Sequence, residues 1–174
     1  MSGAFDLALS IDNIRDGDRY EIVAEADECA TIADRLGLQS LQSLQADAIL
    51  KRDGAIVLAT GYVRANISQS CIASGEPVPA HIDETFSVEF RPAPSSSPDE
   101  EVELGADELD VIFHDGRQIE LGKALLDTLA LALDPFPRSR NAEAILRDAG
   151  VKGEEEAGAF GALAALKDKM KKSD

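Results

Sequence analysis

The sequence predicts an α+β fold: a mainly antiparallel, barrel-like or strongly curved sheet with a short helix in the first half and a small helical C-terminal part. Three observations predict it. From Ala55 to Phe90 two long runs alternate with the two-residue period of a half-buried strand. On the first, Ala55, Val57, Ala59, Val63, Ala65, Ile67 and Cys71 share one parity and Tyr62, Arg64, Asn66 and Ser68 the other; on the return, Ile82, Phe86, Val88 and Phe90 lean inward while His81, Asp83, Thr85, Ser87, Glu89 and Arg91 point to water. Asp-Gly pairs at 53–54 and 115–116 sit between alternating runs, where tight hairpin turns with positive φ at both central residues are expected. Leu121, Leu125, Leu129 and Leu133 then recur at helical spacing until Asp134-Pro135 breaks the run.

Taken in order, Phe5, Leu7, Leu9 and Ile11 alternate as a first strand that ends in the turn-rich Asn13 to Asp18, and Tyr20, Ile22 and Ala24 make a second. Asp27 reads as an N-cap, Glu28 as a first-turn acid and Gly37 as a C′ residue, which predicts a helix over 28–36 with Ala30, Ala33 and Leu36 facing inward. Leu44, Ala46, Ala48 and Leu50 lead into Asp53-Gly54 and the central strand. After Phe90, the prolines and serines of 92–98 followed by Asp99, Glu100 and Glu101 predict a mobile acidic loop over 92–101. Val111 to His114 and Arg117 to Glu120 flank Asp115-Gly116 as a second hairpin, residues 141–149 suit a short helix stopped by Gly150, and 160–172 is an amphipathic helix with lysines at its end. The domain expectation is a β-rich core over 1–135 and a helical extension over 136–174.

Composition narrows function before any motif does. The 174 residues carry 33 acids and 17 bases, a formal charge of −16, with 2 Cys and no Trp, so the core must be aliphatic. The acidity is uneven: residues 1–94 hold 15 acids and 7 bases, 95–134 hold 11 and 2, and 135–174 hold 7 and 8. Such a surface repels a phosphate backbone, so direct RNA contact is disfavoured by charge. The N-terminal apolar run is too short and too acidic for a signal peptide, and no stretch approaches the roughly 20 apolar residues of a membrane span, so a soluble cytoplasmic chain is expected, with no membrane partner.

Residue chemistry adds little by itself. His81 and His114 fall in separate strands with no nucleophile placed beside either, and Cys29 and Cys71 have no metal-type spacing. Nothing cationic near Cys71 in sequence marks it as a reactive thiol, which leaves a buried strand-end cysteine as its reading. No Gly-rich phosphate loop exists. The expectation is no catalytic residue, no cofactor and no metal.

The segment Gln69-Ser70-Cys71-Ile72-Ala73-Ser74-Gly75-Glu76-Pro77-Val78, then Leu121 with 129–133 and Asp134-Pro135-Phe136-Pro137-Arg138, and finally 160–167, FGALAALK, resembles the YceD family of large ribosomal RNA subunit accumulation proteins, closest to its alphaproteobacterial branch. Gln69, Cys71, Glu76 and Pro77 are the motif residues of the loop. The resemblance implies a role in the synthesis, processing or stability of 23S rRNA and in large-subunit accumulation, with no enzymatic activity. Many members carry C-x-x-C at this loop and further cysteines near the C-terminus, a pattern that suggests a metal in those members. Here Ser74 stands where the second cysteine would, and nothing after Arg138 supplies another.

The functional expectation is a non-catalytic ribosome-biogenesis factor whose partners are ribosomal proteins or rRNA-processing factors. Phe136 and Arg138, held between two prolines and at their exit, are the candidate partner-binding residues; the competing reading is that Phe136 covers the base of the sheet. Without the resemblance, the residues allow an unrelated small β-barrel module that binds a protein or a small molecule. Oligomeric state is not legible in the pattern.

Overall fold

The computed structural model describes residues 3–93 and 110–151; the acidic loop from residue 94 onward and the amphipathic tail over 160–172 lie outside the described residues. The elements run β1 Ala8–Ser10, a 3₁₀ turn Ile11–Asn13, β2 Asp18–Val23, α1 Ala26–Leu36, β3 Ser40–Asp53, β4 Ile56–Ser70, β5 Pro77–Pro92, β6 Asp110–His114, β7 Gln118–Glu120, α2 Leu121–Leu131 and α3 Ala142–Asp148. They fall into two units. The first comprises Met1–Gln69 and Pro79–Pro135, and the second Ser70–Val78 and Phe136–Asp174.

The first unit is built on a five-stranded sheet of order β2-β3-β4-β5-β6. β2 with β3 and β3 with β4 are antiparallel. β4 and β5 run antiparallel too: Arg64 bonds Asp83 and Asn66 bonds His81, so one strand retreats two residues as the other advances two. The sheet therefore grows outward from the paired long strands that the alternation predicts. Ile82, Phe86, Val88 and Phe90 are buried as expected, as are Val57, Ala59, Val63, Ala65 and Ile67. Ala55 is not; it is exposed in the turn before β4.

Three expectations are corrected. The sheet does not close into a barrel, because β2 and β6 remain its edges among the described residues. Asp115-Gly116 is not a hairpin: β6 adds parallel to β5, whereas β7 leaves to pair with β1 in a separate two-stranded sheet. Gly116 still needs its positive φ of 86° to redirect the chain, which is why the local signature resembled a hairpin turn. At the first Asp-Gly, Asp53 pairs with Ile56, so the two-residue loop is Gly54-Ala55, and only Gly54 has positive φ, at 60°. That is the II′ pattern, with glycine first, rather than I′.

Helix α1 starts with Asp27 and Glu28 in its first turn and stops at Gly37, φ 66°, where Leu38 N–H reaches Ala33 O at 2.9 Å and Gly37 N–H reaches Asp34 O. This is the double bond of a Schellman stop. Its N-cap position is Glu25, not Asp27, and its buried face is Cys29, Ile32 and Ala33. Of the predicted inward face, Ala33 is buried and Leu36 packs against the core, while Ala30 lies exposed and Cys29 and Ile32 take the buried stripe. The Glu28 carboxylate accepts N–H groups from Ala4 and Phe5 at 3.0 and 2.6 Å, which anchors the N-terminal segment where the long first strand was expected. Leu121, Leu125 and Leu129 of α2 are fully buried, as the spacing requires, and join α1 and the inner sheet face in one core that is not purely aliphatic as composition predicts, since Phe5, Phe86 and Phe90 are buried in it. At full burial each such leucine contributes about 1.5–3 kcal/mol. No described helix is long and apolar enough to cross a membrane.

Candidate functional site

The loop between β4 and β5 belongs to the second unit, and it closes on itself before it meets anything else. Cys71 N–H donates to Glu76 O and Gly75 N–H to Cys71 O, both at 2.8 Å, so the carbonyl and amide of Cys71 clamp the turn. Asp134-Pro135 ends the run of α2, and the following strap, 136–141, leads to α3. Ile72 N–H donates to Pro137 O at 3.0 Å, and the hydroxyls of Ser74 and Ser139 lie 3.3 Å apart. Loop and strap are thus joined through backbone and side chain alike.

The join gathers two acidic side chains and a ring of donors. Ser74 Oγ donates to Glu76 Oε2 at 3.2 Å. Glu76 is held below the usual carboxylate range by the Ser139 hydroxyl first, then by Ser74 and the Asn141 side chain, against the cost of desolvation. The Cys71 thiol is only 3% exposed. Its pKa is lowered from 9.0 to about 6, chiefly by the Ser139 backbone N–H and then by the Ser74 hydroxyl, with desolvation opposing and the Ser139 hydroxyl and Ala73 N–H adding to the drop. A thiolate accepting several N–H and O–H bonds is favoured by the same physics as a hydrogen-bonded carboxylate. Each serine has one proton to give, so Cys71 and Glu76 share their donors.

Of the residues singled out from the sequence, Cys71 and Glu76 meet here, and Pro77 opens β5. Gln69 lies in the first unit, where its Nε2 donates to the Asp134 carbonyl at 2.9 Å beyond the end of α2. Phe136 is 68% exposed and Arg138 is exposed, while Pro137 between them is buried. The ring of Phe136 is therefore not a core side chain. Ser74 enters the sequence argument only as a missing cysteine, Asn141 only as the start of a short helix, and Ser139 not at all; small polar residues beside a proline-rich turn carry no periodic signal.

These groups do not fit a four-ligand zinc site. One thiol and one carboxylate are present, and the groups beside them are hydroxyls and an amide rather than the further thiolates or imidazoles that zinc would need. No group of three or more His, Cys, Asp or Glu converges among the described residues. The histidines are engaged elsewhere. His81 Nδ1 pairs with Asn66 Oδ1 at 3.0 Å on an exposed strand. His114 is buried, with Nε2 at 2.9 Å from Ala55 O and Nδ1 accepting Gly116 N–H at 3.0 Å. A carbonyl only accepts and an amide only donates, so this ring is the neutral Nε2–H tautomer with both nitrogens used structurally.

Comparison with known proteins adds one match. The family model described as large ribosomal RNA subunit accumulation protein YceD matches residues 59–168, a span that begins in β4 and contains the Cys71 loop, α2 and the strap. No curated protein and no solved structure matches the chain.

Proposed function

The chain belongs to the YceD family of large ribosomal RNA subunit accumulation proteins, and from that membership we propose that it is a non-catalytic ribosome-biogenesis factor supporting the synthesis, processing or stability of 23S rRNA. The observation that carries this reading is the family match over residues 59–168. Charge supports protein contacts over RNA contacts: a chain of −16 attracts basic ribosomal proteins, or the basic surface of a processing enzyme, and repels phosphate. The strap supports a place for the contact. An aromatic ring 68% exposed beside an exposed Arg, on a segment pinned by the Ile72 and Ser139 bonds, is the kind of preorganised anchor that dominates interface energetics.

The test has two parts. In cells lacking the wild-type copy, the large-to-small subunit rRNA ratio should fall, and the tagged protein should cofractionate with large-subunit precursors. Arg138→Glu and Phe136→Leu should leave melting unchanged and still lower that ratio. A normal ratio in the deletion removes the proposed function; a normal ratio with both folded variants removes only the strap as its contact surface.

A further inference from the structure

Residues 3–10 form an arm that buries little of itself. Phe5 is 2% exposed, Leu7 and Leu9 are half-buried against the core, and Ala4, Asp6, Ala8 and Ser10 are exposed. One side chain is therefore its only full anchor. The rest of the hold is polar. The Glu28 carboxylate takes the Ala4 and Phe5 amides at 3.0 and 2.6 Å, Gly122 N–H donates to Leu7 O at 3.0 Å, and Ala8–Ser10 pairs with Gln118–Glu120.

The arm runs between two open spaces. A cleft of about 520 Å³ separates Gly3 to Asp6 from α1, a second of about 220 Å³ lies between Phe5 to Ala8 and α2, and Phe5, Asp6, Arg35 and Leu126 line both. Atoms that face a gap forgo the dispersion contacts a packed neighbour would give. Topology loosens the arm further, because β1 pairs only with β7, in a sheet of two strands, and contributes nothing to the ladder of the five-stranded sheet.

The closest approach is at Gly122. The three atoms nearest to a Cβ built there all belong to the arm's backbone, at Phe5 and Leu7. Gly122 is the second residue of α2 and has no positive φ, so alanine would suit the helix better and the clash falls on the arm. Its amide is also a reporter. The first N–H groups of a helix have no partner within it, so the Leu7 carbonyl is what this one bonds.

Segments that bury few apolar groups open at a lower free energy than the whole fold. We infer that residues 3–10 are a releasable arm, which leaves α1, α2 and β7 as one unit while the five-stranded sheet stays folded, and whose departure merges the two clefts into a groove floored by Ile32 and Leu126.

Native-state hydrogen exchange on the full chain tests this. The amides of Ala4, Phe5 and Gly122 should exchange through one shared opening, with a common dependence on denaturant, at least about tenfold faster than the β3 and β4 amides. Glu28→Gln removes the charge from two of the bonds and should speed all three by about tenfold more, with the sheet amides unchanged. Gly122→Ala should strip protection from Ala4 and Phe5 and leave the sheet amides protected. Exchange of the three in step with β3 and β4 overturns the inference, as does graded fraying in which Ala4 and Phe5 exchange early and Gly122 only on global unfolding. So does a Gly122→Ala chain that keeps its arm protected, or one that loses the sheet with it. None of these results touches the rRNA reading, which is measured on the strap variants.

Discussion

Ser74 and Ser139, 65 positions apart in the chain, hold their hydroxyl oxygens 3.3 Å from each other, and the thiol of Cys71 and the carboxylate of Glu76 draw on both. A turn that contains neither a lysine nor a helix start thereby stabilises two negative charges.

The thiol gives the first prediction. Thiolate absorbance followed against pH should show one step at about 6 that vanishes in Cys71→Ser. Cys29 should titrate separately and above its ordinary value, because burial and the Glu28 charge raise it. The folded pKa of Cys71 is below the unfolded one. Its contribution to stability is therefore full above the unfolded value and lost as pH falls through about 6. The melting difference between wild type and Cys71→Ser should shrink over that range. A single thiol step near 9 would show that the donors do not reach Sγ.

Metal content is the second. Purified protein dialysed against chelator-free buffer should hold no stoichiometric zinc, and chelator should leave its melting temperature unchanged, because no group of three or more His, Cys, Asp or Glu converges among the described residues. One zinc per chain surviving dialysis would mean that ligands do converge.

Backbone geometry gives the third. Gly54→Val and Gly116→Val should each destabilise by about 1 kcal/mol or more, since both positions have positive φ that β-branched residues avoid. Gly61→Val should be the worst of the three. A Cβ there meets the Asp47 carbonyl of the neighbouring strand, and backbone cannot move aside as a side chain can. Denaturant melts rank the three directly, and a neutral Gly61→Val would mean that β3 and β4 approach less closely.

His114→Leu is the fourth. It leaves the Ala55 carbonyl and the Gly116 amide without partners and should cost about 1–3 kcal/mol. His114→Gln, with a donor and an acceptor on one side chain, should recover part of that loss. Equal melting for both variants and wild type would show that the ring only fills space.

Much of the first unit was legible because burial imposes a period. Leu44 to Leu50 and Ile82 to Phe90 face the core as their alternation says. Where the period breaks, reading fails: a register shift between Leu41 and Ser43 puts Leu41 and Leu44, an odd and an even position, on the same buried side. Strand partnership was not legible at β6 and β7, since Asp-Gly specifies a reversal of the chain but not which strand receives it. On α1, Ala33 and Leu36 face inward as read, but Ala30 stood in for Cys29 and Ile32, because alanine suits either side. At the site, Cys71 and Glu76 stood out through their motif, whereas Ser139 and Asn141 act through geometry that only the folded strap supplies.

The pairing of β1 with β7 has a consequence for the order in which the chain takes shape on the ribosome. Ala8 waits for Glu120, over a hundred positions later, and at about 5–20 residues per second that is a delay of roughly 5–20 s. During it, the hold of Glu28 on Ala4 and Phe5 is available as soon as α1 emerges. The amino end is then parked on a nearby helix, and its last strand partner arrives only when most of the protein has been translated.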